Sequence, residues 1–322
     1  MKLGKNKLAV ALGAALAFGM AGQASADVYG LSSVQIDGLT INITGVLPGS
    51  TATLFSFDTN QDAILNGVAD GSDGSASCGG LFGGANDCGA GNPRLSGTVQ
   101  NAPGSTLARG ENDYTAYGQT GQYSNSEAAI ITATLLGDPA TSTGAISESN
   151  LQSGTSAQAN TNVGSNTLLT LNFELGGDGG FAVSFDAVID VLSQVTGGDI
   201  GIAQANSGVT VVLQKDGQTL ASWAPTGTNN VTTCSAGLTC VATESALSLN
   251  NTTSSSGAAN QVAGSGSYMI DVQGLTSGQY TLALANTTST NLRRVHDAPI
   301  PGTLLLMGTG LLVGARSLRR KK

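Results

Sequence analysis

The sequence predicts an all-β protein, an antiparallel β-sandwich or jelly roll with long loops rich in Gly, Ser, Thr and Asn. Three observations point to that fold. Apolar and polar residues alternate in several short runs, and a period of two puts alternate side chains on one face of a strand. Turn residues separate the runs, most clearly at Lys215-Asp216-Gly217. The composition is that of an extracellular β-protein, with 46 Gly and only 4% aromatics. Many short strands joined by such turns close into sandwiches and jelly rolls.

Residues 1–26 stand outside the fold, because they carry the three parts of a secretory signal peptide. Lys2, Lys5 and Lys7 form a positive start, residues 8–22 are apolar, and Ala24-Ser25-Ala26 is a small-x-small site. Signal peptidase would cut between Ala26 and Asp27. An uncleaved N-terminal anchor is the alternative, but the apolar run is short for a membrane span.

The body, 27–297, is long enough to bury a substantial core. Residues 34–43 alternate around Asp37-Gly38, a turn candidate, and 51–57 continue the pattern. Runs at 128–136 and 167–175 are Leu-rich and β-branched. The clearest strand is 181–191, where Phe181, Val183, Phe185, Ala187, Ile189 and Val191 share one face. Gly176 to Gly180 reads as a turn before it; the segment lacks the Gly-Lys-Ser/Thr ending of a phosphate loop. Residues 209–214 and 218–223 make a hairpin, and 268–272 with 280–284 another around Thr276-Ser277-Gly278. Residues 138–166 show little apolar patterning and read as a long surface loop or linker. Residues 70–92 also read as a loop. One domain is the first reading, and two lobes divided near 150 the second.

Four cysteines fall in two close pairs, Cys78/Cys88 and Cys234/Cys240. An exported chain meets an oxidising compartment, and short loops close easily, so two local disulfides are expected. A four-thiolate zinc site is the rival, without the usual CxxC spacing.

Charge excludes some partners. Of 13 Lys and Arg, three lie in the signal and five at the C-terminus; the remaining five stand against 21 acidic residues, a formal −16. Such a field repels nucleic acid and bare anionic membrane.

Candidate chemistry is sparse. Asp58, Asn60 and Asp62 match the opening of a calcium loop, with oxygen ligands at alternate positions. Ala63 and Ala69 stand where such a loop needs Gly and Glu, so a solvated acidic turn competes with a Ca2+ site. The single histidine, His296, has no triad around it. Asp186 and Asp190 share a strand face, roughly 13 Å apart at about 3.3 Å per residue, which is wide for a glycosidase pair. Trp223 could stack on sugar or pack in a core. No catalytic constellation emerges, and the chain is read as having no enzymatic activity.

The C-terminus is the most specific feature. Pro299-Ile300-Pro301 breaks regular structure, and residues 302–315 are uncharged and apolar. Arg316, Arg319, Arg320, Lys321 and Lys322 close the chain. Fourteen residues of helix span about 21 Å against a hydrocarbon core of about 30 Å, a marginal crossing that suits a temporary hold. The basic cluster would keep the end cytoplasmic.

This layout resembles the PEP-CTERM sorting signal, with Ile300 where that family carries Glu. The resemblance covers only about residues 298–322. It implies secretion by a Gram-negative bacterium, recognition by an exosortase-like membrane enzyme, and an association with exopolysaccharide. Further in, Ser222-Trp223-Ala224-Pro225, Cys234, Cys240 and Ser248-Leu249-Asn250 resemble the body of one group of these surface proteins, a group for which the resemblance implies no activity.

Three functions compete. A surface-sorted structural or matrix-associated protein comes first. A carbohydrate- or calcium-binding adhesin is second, and a secreted hydrolase third.

Overall fold

The computed structural model describes residues 26–46, 53–80, 94–100, 116–119, 121–131, 141–152, 156–163, 168–196 and 200–295. Among them, fifteen strands follow in chain order. They are β1 (Ala26–Val46), β2 (Thr53–Leu65), β3 (Val68–Gly80), β4 (Arg94–Gln100), β5 (Tyr123–Ile131), β6 (Thr141–Gln152), β7 (Ala157–Val163) and β8 (Leu168–Val195). Then come β9 (Ile200–Lys215), β10 (Gln218–Trp223), β11 (Thr233–Cys234), β12 (Thr239–Glu244), β13 (Asn251–Ser255), β14 (Asn260–Leu275) and β15 (Gly278–Val295).

One antiparallel sheet curls into a sandwich, and β8 is the reason. Its first part pairs with β2 and β15, and its second part with β1 and β14. The front layer runs β12-β14-β8-β1-β6-β5-β4. In the back layer β9 and β15 are followed by β7 and the start of β8 side by side, then β2 and β3. β10 and β13 line the outer edge of β9. The segment from Gly176 to Gly180, read from sequence as a turn, is the stretch through which β8 passes between layers without breaking. β1 pairs with both β6 and β8, so strands from either side of residue 150 share one sheet.

The core has two halves of different chemistry. The apolar half places Phe181, Val183, Phe185 and Ile189 of β8 against Val209, Val211 and Leu213 of β9, with Tyr268 of β14 and Trp223 of β10. Phe185 lies 5.9 Å from Trp223 and 5.6 Å from Tyr268 between ring centroids. The other half is lined by hydroxyls and amides. Ser147 of β6 meets Thr288 of β15 at 3.0 Å, and Ser149 meets Thr290 at 3.0 Å. Thr290 also meets Thr161 of β7 at 2.5 Å. Ser126 of β5 donates to Gln61 of β2, and Asn286 donates to Thr143 at 3.0 Å. These side chains are buried, and buried polar groups stay affordable only when paired in this way.

Asp37-Gly38 is not a turn. β1 runs straight through it as a β-bulge, with Gly38 at φ 67. A bulge shifts the side-chain period by one residue. Val34 and Ile36 before it, and Leu39 and Ile41 after it, therefore all face the core. The β9–β10 hairpin follows the sequence reading, with Asp216 and Gly217 at φ 52 and 76. The strands of β14 and β15 likewise flank Thr276-Ser277.

Two loop readings are overturned. Within 138–166 lie β6 and β7, both in the interior of the sandwich. Within 70–92, residues up to Gly80 belong to β3. Small polar residues form β6 and β7 because the buried side chains they meet on β15 are equally small and polar.

Candidate functional site

The outer face of the back layer carries a grid of amide and hydroxyl side chains. Strands β9, β15 and β7 lie in register there. Asn206 faces Ser289, which faces Asn162; Gln204 faces Asn291, which faces Asn160. Further along, Gln214 faces Thr281 and Thr281 faces Asn172. Asn206 Nδ2 donates to Ser289 Oγ at 3.1 Å, and Thr281 Oγ1 to Asn172 Oδ1 at 2.7 Å. Each inward neighbour is buried, so alternation forces these side chains outward. The grid is neutral between Arg293 at one margin and Asp62 on β2 at another. Every amide offers both donors and acceptors, the complement of a hydroxyl-rich neutral ligand.

A second feature is a buried carboxylate on the outer side of the front layer. Glu148 of β6 is fully buried. Its Oε1 accepts from Tyr29 Oη at 2.5 Å and from the Gly118 N–H at 2.8 Å, and its Oε2 accepts from the Tyr117 N–H at 2.7 Å. Burial pushes its pKa up, and the bonds from Tyr29, Tyr117, Tyr123 and Gly118 oppose the shift. Tyr123 Oη donates to Gly118 O at 2.7 Å, so the carboxylate fastens residues 117–118 over the sheet. Glu127 of β5 is also buried and accepts from Asn125 at 3.4 Å.

The calcium candidates sit on a strand, not in a loop. Asp58, Asn60 and Asp62 occupy alternate positions of β2, with Asp73 of β3 opposite Asn60. Alternate strand positions lie about 6.6 Å apart, whereas calcium draws its oxygens to about 2.3–2.6 Å. The extended backbone therefore holds the three apart. Among the described residues, no three His, Cys, Asp or Glu could hold a metal ion.

Asp186 and Asp190 do share the outer face of β8. Asp186 lies opposite Asp37 of β1 and accepts from Ser267 Oγ at 2.6 Å. Asp190 is buried and accepts from Gln261 at 2.8 Å. Burial raises the pKa of Asp190 against the Gln261 bond. Burial, with a smaller contribution from Asp186, raises that of Asp37.

Trp223 is a core residue, 1% exposed, with Nε1 donating to Glu244 at 2.6 Å. It offers no face to a sugar. Glu244 Oε2 also accepts the N–H groups of Thr226, Gly227 and Thr228 at 2.6–3.1 Å, which shapes the loop after β10. Asn250 bonds to Val209 N and O and to Pro225 O. The residues around Trp223 and Ser248-Leu249-Asn250 thus converge on one structural knot. Cys234 and Cys240 form a disulfide. Ala26 and Asp27 open β1. Cys88, His296, Pro299, Ile300, Pro301 and the basic residues from Arg316 to Lys322 lie outside the described residues, as does the Cys78 side chain.

Sequence reasoning missed Glu148, Asn160 and Asn162 because it read their segment as a loop. A signal was present: Ala157, Ala159, Thr161 and Val163 alternate with Gln158, Asn160 and Asn162. The buried set is small and partly polar, so hydropathy alone hides the period.

No known family and no curated protein matches the chain. One solved structure, described as that of infectious bursal disease virus Gx strain, aligns with 85% of this chain and 79% of its own at 12% identity, with a TM-score of 0.13. That similarity is too low to bear on fold or function. No helix among the described residues is long and apolar enough to cross a membrane.

Proposed function

We propose that the protein is an exported structural or matrix-associated surface protein, sorted through its C-terminal segment by an exosortase-like membrane enzyme. The carrying observation is the order Pro299-Ile300-Pro301, an uncharged apolar run and a terminal basic cluster. The fold is compatible with a removable tail, because β15 is hydrogen-bonded on both sides and ends at Val295. Signal peptidase is the partner at the front, and exopolysaccharide the proposed neighbour at the surface. The reading assigns the protein no catalysis.

Fusing residues 298–322 to an exported reporter tests it. The reporter should reach the surface of the native host and lose the tail, as read by intact mass. A reporter that stays periplasmic and uncut would sink the sorting reading.

The neutral amide face favours a second reading, an adhesin for an uncharged polysaccharide. It lacks the cations that an anionic polymer would need. Asn160→Asp, Asn162→Asp and Asn291→Asp together should abolish retention on a neutral-glycan affinity gel while the melting temperature holds. Unchanged retention would remove this reading.

A further inference from the structure

Both ends of the body leave from one end of the sandwich. β1 starts there, with Val28 opposite Val195 at the end of β8. β15 ends there, with Val295 opposite Ile200 at the start of β9. The two layers meet at this point, since a Cβ on Gly201 would lie 2.6 Å from Val28 and 3.3 Å from Val195. The β2–β3 turn joins the same end, where the Asn66 N–H donates to Gln158 O at 2.9 Å.

This end is also where exposed apolar side chains gather. Val68, Ile200, Ile202 and Val295 are 61%, 61%, 51% and 39% exposed. The other two exposed large hydrophobics among the described residues, Val241 and Met269, lie on β12 and β14. From Ile202 to Val68 the band crosses β9, β15, β7, β2 and β3, about 20 Å at roughly 4.8 Å per strand. Exposed Arg293 stands beside Ile202. Clustered apolar residues on a surface mark a contact with another protein or a membrane.

The sequence that follows Val295 selects the membrane. Gly302, the first residue of the apolar run, is seven residues beyond Val295, a reach of at most about 25 Å. While the run is held in a bilayer, this end of the body cannot be far from the lipid surface. Tethering raises the effective concentration of a weak patch without new contacts, which offsets the repulsion expected from the acidic body.

We propose that the end formed by Val68, Ile200, Ile202 and Val295 is a lipid-docking face, which seats the sandwich upright on the bilayer while the C-terminal run holds it. The inference rests on the sorting reading for its tether. Docking orients the body with β9 rising from the membrane, so the β9–β10 turn stands about 50 Å away at about 3.3 Å per residue. The 296–301 junction is thereby presented beside the lipid surface, where a membrane enzyme works.

The test uses the chain from Asp27 to Lys322, without the signal segment, bound to phosphatidylcholine vesicles, with brominated lipid as quencher. Trp223, buried in the core, supplies an unquenched background. Added emission from Ile202→Trp should be quenched, and that from Gln218→Trp at the far end should not. Val68→Ser, Ile200→Ser, Ile202→Ser and Val295→Ser together should lower vesicle partitioning by about tenfold or more. If the chain sediments with vesicles but Ile202→Trp is no more quenched than Gln218→Trp, the docking face is wrong and the tail reading survives. If the chain does not sediment with vesicles, both fall. A lipid-free dimer that the four serines dissolve would overturn docking in favour of a second copy of the chain.

Discussion

The two halves of this core solve the same problem with opposite materials. Around Phe185 and Trp223, aromatic and branched side chains exclude water by volume. Around Thr290 and Ser149, side chains too small to fill much space interlock through hydroxyl pairs. In the first half, stability scales with apolar area removed from water. In the second, it depends on each polar group keeping its partner, since the net gain per bond is small and the cost of an orphan is larger. The apolar half should therefore resist changes of polarity at its rim and fail when volume is lost. The hydroxyl half should tolerate loss of volume and fail when one partner is removed.

The largest effect should come from Phe185→Ala. It removes a ring packed against Trp223 and Tyr268 and should cost about 3–5 kcal/mol in urea unfolding. A loss under 1 kcal/mol would mean that the aromatic cluster is not the centre of the apolar half.

Opening the Cys234–Cys240 disulfide, either by reduction or as Cys234→Ala with Cys240→Ala, should cost about 2 kcal/mol, as expected for a short closed loop. The bridge lies beside the apolar half, so an unchanged denaturation midpoint would show that strand pairing and the Ser235 N–H bond to Leu220 O hold the loop without it.

Thr290→Val keeps the shape of a buried side chain but strips the shared hydroxyl from Thr161 and Ser149. It should cost about 1–2 kcal/mol. Adding Thr161→Val should restore part of that loss, because removing both members of a pair costs less than orphaning one. Strictly additive losses would show that the two halves are held by the same apolar physics.

The smallest effect should be a pH dependence centred on Glu148. Burial raises its pKa in the folded state above the ordinary value of 4.5. Between the unfolded and folded values the folded chain binds more protons, so stability should fall as pH rises through that window. Glu148→Gln should flatten this slope, while its amide meets the Tyr117 and Gly118 N–H groups as a second donor and loosens that segment. Hydrogen exchange at Tyr117 and Gly118, followed against pH in both proteins, reads the difference. A slope unchanged in the variant would assign it to Asp37 or Asp190.

The apolar half was legible in the sequence because its signal is hydropathy. Phe181, Val183, Phe185 and Ile189 alternate, and Asp216-Gly217 marks its hairpin. The close pair Cys234 and Cys240 was likewise a local feature, set by residues near one another in the chain. The hydroxyl half was not legible. Ser147 reads as loop, and Thr288 lies beyond the strand read at 280–284, until the fold brings them 3.0 Å apart across 141 residues. The same holds for Glu148, whose burial is created by β1 and residues 117–118. It holds too for the end where Val28 meets Gly201, and Val295 meets Ile200. Sequence by itself determined the fold class and the apolar face of strands such as β8 and β9, because those follow from residue type and short-range spacing. Only the tertiary structure decided which polar residues became core and which apolar residues remained exposed together, because burial is a property of the partner that arrives, and no strand carries that partner in its own sequence.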